Sequence, residues 1–109
     1  MILERGKAYL LSYQNGGKGR ATYRVVLVTS VQDGVIYATP IRKLAAWEAE
    51  REVCRRLECG FFTKRPHPQT YKPERIKHVK TDVKNYREYM DAKVRNIVNQ
   101  SIDEMANAR

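Results

Sequence analysis

Side chains alternate along Ala8 to Tyr13 so that Tyr9, Leu11 and Tyr13 share one face, the period-two signature of a β-strand. Thr22 to Thr29 repeats the pattern, with Tyr23, Val25 and Leu27 on one face and Arg24, Val26 and Val28 on the other. Between these runs, Asn15 and the glycines at 16, 17 and 19 predict a hairpin tip free to take positive φ. Asp33-Gly34 predicts a tight turn into a third strand, Val35 to Thr39, which Pro40 ends. Residues 1–41 therefore read as an antiparallel meander.

From Arg42 the period changes. Ala, Glu, Arg and Leu dominate to Cys59 without Gly or Pro, so residues 42–60 read as an inserted helix with Gly60 at its C-cap. Ala46, Trp47, Val53, Cys54 and Leu57 fall on one arc with Glu50, and that arc is the expected apolar face. Residues 61–80 read as a strand and loop region: a short strand at Gly60 to Thr63, an extended segment around Pro66 and Pro68, then Tyr71 and a last strand from Arg75 to Val79. Thr81 or Asp82 is expected to cap a closing helix over 81–109, with Val83, Tyr86, Met90, Val94, Ile97, Val98 and Met105 in one stripe. That stripe either packs on the chain's own strands or forms a homodimer or partner seam, for which Tyr86, Met90, Val94 and Ile97 are the candidates. The sum is an α+β fold: one domain of 109 residues, a small, strongly bent antiparallel barrel with one inserted and one C-terminal helix.

Charge adds a partner to this picture. Twenty-one Lys and Arg against 12 Asp and Glu leave a formal +9, the balance expected of a protein that meets a polyanion. The excess is uneven: residues 1–46 hold seven bases and two acids and residues 61–80 six and one, whereas 81–109 is balanced. Charge that served solubility alone has no reason to avoid the helices. Basic residues also interleave with rings, as small barrels that bind single strands require. The candidate nucleic-acid contacts are Lys18, Arg20, Arg24, Arg42 and Lys43 in the first half, and Lys64, Arg65, Lys72, Arg75 and Lys77 in the second. Tyr13, Tyr23 and Tyr71 are the candidates for stacking, against the alternative that tyrosines serve the core or its rim.

Other chemistry finds little support. Gly16-Gly17-Lys18-Gly19-Arg20 lacks the spacing of a phosphate-binding loop and precedes no helix. Cys54, Cys59, His67 and His78 are four soft ligands at spacings foreign to zinc sites, so the cysteines read as free thiols and no metal or cofactor is assigned. No catalytic residue is assigned from spacing. The absence of an apolar run of membrane-spanning length and of a secretory leader pattern predicts a cytoplasmic protein.

Arg5-Gly6-Lys7-Ala8-Tyr9-Leu10, Arg24-Val25-Val26-Leu27-Val28-Thr29-Ser30, Val35 to Ile41 and Glu74 to Val79 resemble, in order, the opening R-G-[DE], the R-P-v-l-V-x-S strand, the v-i-v-a-P-I-T strand and the d-q-I-x-x-v segment of the MazF/PemK toxin family. The resemblance implies an SH3-like barrel. Tyr71-Lys72-Pro73-Glu74-Arg75-Ile76 is equally similar to the terminal pattern of WYL-type barrels. In the toxin family an Arg that falls on Arg24 and a Thr after the P-I step act on RNA; here Arg42 occupies the Thr position and Val25 replaces the Pro. With that set incomplete, the first expectation is a non-enzymatic module binding RNA or DNA. A toxin-type endoribonuclease using Arg24 and a phage or accessory-type inhibitor binding a host protein through the closing helix are the alternatives.

Overall fold

The computed structural model describes residues 3–14 and 21–107. The elements are strands β1 (Ala8–Tyr13), β2 (Thr22–Gln32) and β3 (Val35–Pro40), helix α1 (Ile41–Arg56), strand β4 (Gln69–Tyr71), a 3-10 turn (Pro73–Arg75), strand β5 (Ile76–Val83) and helix α2 (Tyr86–Asn107). They divide into a sheet unit, Met1–Ile41 with His67–Tyr86, and a helical unit, Arg42–Pro66 with Arg87–Arg109.

The sheet unit is one five-stranded antiparallel sheet in the order β4-β3-β2-β1-β5. No ladder joins β4 to β5 among the described residues, so the sheet is open and the α+β class stands without closure into a barrel. The long strand β2 serves two partners: Thr22 to Leu27 pair with β1, and Val26 to Gln32 pair with β3 around an irregularity between Val28 and Ser30. Asp33 (φ 52°) and Gly34 (φ 77°) make the β2–β3 turn, as the Asp-Gly pair requires. Tyr9, Leu11 and Tyr13 face inward as their alternation predicts, and of the two faces of β2 it is Val26 and Val28 that join them in the core. Ile36, Ala38, Tyr71 and Ile76 complete it. Each large apolar side chain fully buried there contributes about 1.5–3 kcal/mol.

In the helical unit, α1 starts one residue earlier than expected and ends at Arg56. Its buried face is Ile41, Leu44, Ala45 and Ala49, roughly opposite the expected arc, on which Ala46 is exposed and Trp47, Val53 and Cys54 are half-buried. The physical reason lies in the segment after the helix. Trp47 Nε1 donates to the Thr63 carbonyl at 2.8 Å, the Trp47 and Phe61 rings lie 5.8 Å apart, and Thr63 Oγ1 donates to Glu50 at 3.1 Å. These contacts hold residues 61–63 as irregular chain against the second face of α1, and the strand expected at 60–63 does not form.

Two helix ends also differ. The C-terminus of α1 is closed by Glu58, not Gly60: Glu58 takes φ 54° and the Cys59 N–H reaches back to the Cys54 carbonyl at 3.0 Å. That is a six-to-one closure around a left-handed residue. Thr81 and Asp82 do not cap a helix, because β5 runs on through Val83 by pairing with β1, and α2 begins at Tyr86. In α2, Met90 and Val98 are buried, Tyr86, Val94 and Ile97 half-buried, and Met105 is 47% exposed. Of the proposed partner residues, Met90 is therefore not available at the surface. No helix of the described residues is long and apolar enough to cross a membrane.

Candidate nucleic-acid interface

Antiparallel pairing sets which side chains share a face. Ser12 stands opposite Tyr23 on one side and His78 on the other, so the outer face of the sheet carries the row His78, Ser12, Tyr23. Ser12 is buried between two larger, exposed neighbours, and the Tyr23 ring is 59% exposed. Lys80 Nζ lies over that ring at 5.2 Å from its centre. An exposed ring with a cation over it joins a surface for a base to a charge for a phosphate.

Lys80 reaches Tyr23 because of how β5 pairs. Thr81 and Val79 oppose the adjacent Leu10 and Leu11, leaving Lys80 as an extra residue, and His78 and Ile76 oppose Ser12 and Tyr13, leaving Lys77 as another. Bulges of this kind bend a strand and re-aim its side chains. On an edge strand they also discourage pairing with a second sheet, a role that lysines reinforce.

Tyr13 and Tyr71 correct the sequence reading. They are 5% and 1% exposed, with rings edge to face at 4.8 Å, so neither presents a face for stacking. Both belong to the core, as tyrosines with an apolar body and a wet hydroxyl often do. The Tyr71 hydroxyl donates to Gln69 Oε1 at 3.3 Å. Burial raises the Tyr71 pKa above its ordinary value, and the hydrogen bond and charge of neighbouring Arg24 offset part of that rise.

Arg24 thus faces the core side of the sheet, in line with Val26 and Val28, and is half-buried at the rim beside Tyr71. No carboxylate among the described residues pairs with it. At the same rim, where β1 and β4 end and β5 begins, Lys72 is exposed and Arg75 half-buried. The Gln14 N–H donates to the Arg75 carbonyl at 3.0 Å and fixes the 3-10 turn to the end of β1. Lys18 and Arg20 lie outside the described residues.

The remaining candidates belong to the helical unit. Arg42 and Lys43 are exposed in the first turn of α1, which holds no acid, and Lys64 and Arg65 are exposed just after the anchored Thr63. Cys54 and Cys59 are free thiols at the end of α1, whereas His67 and His78 belong to the sheet unit. Among the described residues no three His, Cys, Asp or Glu side chains are grouped to hold a metal ion.

Neither His78 nor Lys80 is among the contacts expected from the sequence; the bulges that place them leave no mark on hydrophobic periodicity. No family model matches this chain, and no curated protein or solved structure is significantly similar to it.

Proposed function

We propose that this protein is a non-catalytic nucleic-acid-binding module that takes a single strand across the outer face of its sheet. The observation that carries this reading is the exposed Tyr23 ring with Lys80 above it, with exposed His78 in the same cross-strand row and exposed Lys77 next to His78 in the chain. Tyr23 stacks on a base, and the two lysines lie along the path of the phosphates. Arg24, Lys72 and Arg75 extend positive charge around the rim. The strand order, with β2 bent between two partners and a single 3-10 turn linking β4 to β5, is consistent with an SH3-like barrel. The test is fluorescence-anisotropy binding of labelled single-stranded RNA and DNA to the wild type and Tyr23→Ala, with loss of affinity in the variant as the expected outcome and equal affinity as the contrary one.

A second reading has its own observation. Arg24 is half-buried, unpaired with any described carboxylate and adjacent to the Tyr71 hydroxyl, a setting in which a guanidinium can stabilise charge on a phosphate. RNA cut without added metal, and left intact by Arg24→Ala, would turn the proposal from a binding module into a toxin-type ribonuclease.

A further inference from the structure

In the helical unit, α1 and α2 enclose an open groove of about 740 Å³ whose cations are all arginines: Arg51, Arg55, Arg56, Arg87 and Arg95. The volume falls in the range of small-molecule sites, roughly 300–1,000 Å³. Three carboxylates line it as well, and their hydrogen bonds separate the arginines into two groups. Arg87 is the most engaged, with its terminal nitrogens on Glu48 at 3.2 and 3.4 Å and its Nε ion-paired with Asp91 at 3.3 Å. Arg55 is likewise held, by two bonds to Glu52 at 2.9 and 2.6 Å.

The other three are engaged less. Arg56 gives only its Nε to Glu52, at 3.1 Å, leaving its terminal nitrogens unspent. Arg51 lies over the Trp47 ring at 5.7 Å, and no ion pair to either Arg51 or Arg95 occurs among the described residues. The two bonds from Arg55 and the one from Arg56 hold the Glu52 carboxyl down at about 2, so it remains an anion at neutral pH. Phe61, Val94 and Val98 supply an apolar wall. Planar, permanently charged forks with free donors beside an apolar surface suit phosphate oxygens better than they suit water.

We propose that this groove binds phosphate groups through Arg51, Arg56 and Arg95, with Arg55 and Arg87 fixed by Glu52, Glu48 and Asp91 as its frame. The phosphates belong either to a free phosphorylated small molecule or to a nucleic-acid strand, and the two sources separate in one experiment. The full chain is titrated with tripolyphosphate and, separately, with a short single-stranded RNA at about 150 mM salt, where loose surface pairing is screened. Heat and the fluorescence of Trp47, which Arg51 covers, are the readouts.

The variant pair is Arg51→Gln with Arg95→Gln, both exposed positions, and its charge-matched control is Lys84→Gln with Lys93→Gln, outside the groove. Saturable tripolyphosphate binding, weakened roughly tenfold or more by the arginine pair and not by the lysine pair, supports a free phosphorylated ligand. Weak tripolyphosphate binding, with RNA affinity reduced by the arginine pair beyond the effect of the lysine pair, supports a strand as the source. If tripolyphosphate does not saturate and the two double variants bind RNA alike, the proposal is overturned. Loss of RNA binding in Tyr23→Ala with tripolyphosphate binding intact would show that the sheet interface and this groove stand or fall separately.

Discussion

Lys80 Nζ lies 5.2 Å from the centre of the exposed Tyr23 ring, and it does so because β5 carries Lys80 as the extra residue of a bulge opposite Leu10 and Leu11. The pair joins two interactions that a single strand needs at one point, a ring for a base and a cation for a phosphate. Tyr23→Ala should weaken single-stranded RNA or DNA binding by about 1–3 kcal/mol, the range for one stacked base. Because the ring is exposed, folding stability should change by no more than about 0.5 kcal/mol. Anisotropy titration and urea denaturation of the same samples check both halves of the expectation.

Tyr71 predicts the opposite combination. It is 1% exposed at the centre of the sheet unit's core, so Tyr71→Ala should cost about 3–5 kcal/mol of stability. Tyr71→Phe keeps the ring and isolates the ionisation. Burial raises the folded-state pKa, so the unfolded chain gives up this phenolic proton first, near pH 10. Stability falls as pH rises from that value through the higher folded one, and below it both states hold the proton and Tyr71 contributes no slope. Denaturation at about pH 9 and 11 should show a smaller alkaline loss in Tyr71→Phe than in the wild type.

Glu58 holds a left-handed φ of 54° at the end of α1, a conformation that costs a side chain energy and a glycine almost nothing. Glu58→Gly should therefore stabilise the protein by up to about 1 kcal/mol, a rise of several degrees in Tm. Glu58→Ala, which keeps the strain, should give no such gain. Thermal unfolding of the three proteins decides it.

Arg42 and Lys43 occupy the first turn of α1, where the helix dipole disfavours positive charge. Replacing both with Glu should raise stability by about 0.3–1 kcal/mol for each position. If these cations meet phosphates, the same change weakens nucleic-acid binding and flattens its dependence on salt. Gain in stability with unaltered binding would remove them from the interface.

The strands were legible because alternation survives in β1, β2 and β3 and because Asp33-Gly34 admits few other turns. Faces were less so. Alternation in β2 offered two equivalent sides, and only pairing with β1 and β3 decides that Val26 and Val28 go inward while Tyr23 stays in water. The α1 arc was misread because Trp47 is covered by residues 61–63, a contact across irregular chain that helical periodicity does not encode. Thr81 and Asp82 have the chemistry of helix caps, yet pairing with Leu10 and Tyr9 keeps them in β5. Among the rings, composition could not separate the buried Tyr13 and Tyr71 from the open Tyr23, since that distinction is one of register.

The most direct measurement is the affinity for a labelled single-stranded RNA as a function of salt, in the wild type and in Tyr23→Ala with Lys77→Gln and Lys80→Gln. Binding in the wild type should be salt-sensitive, with the triple variant binding more weakly and with a shallower slope of log affinity against log salt, by about 0.7 for each phosphate that the missing lysines no longer neutralise. Equal affinity and equal slope in the two proteins would contradict it and leave the outer face of the sheet without a role in binding.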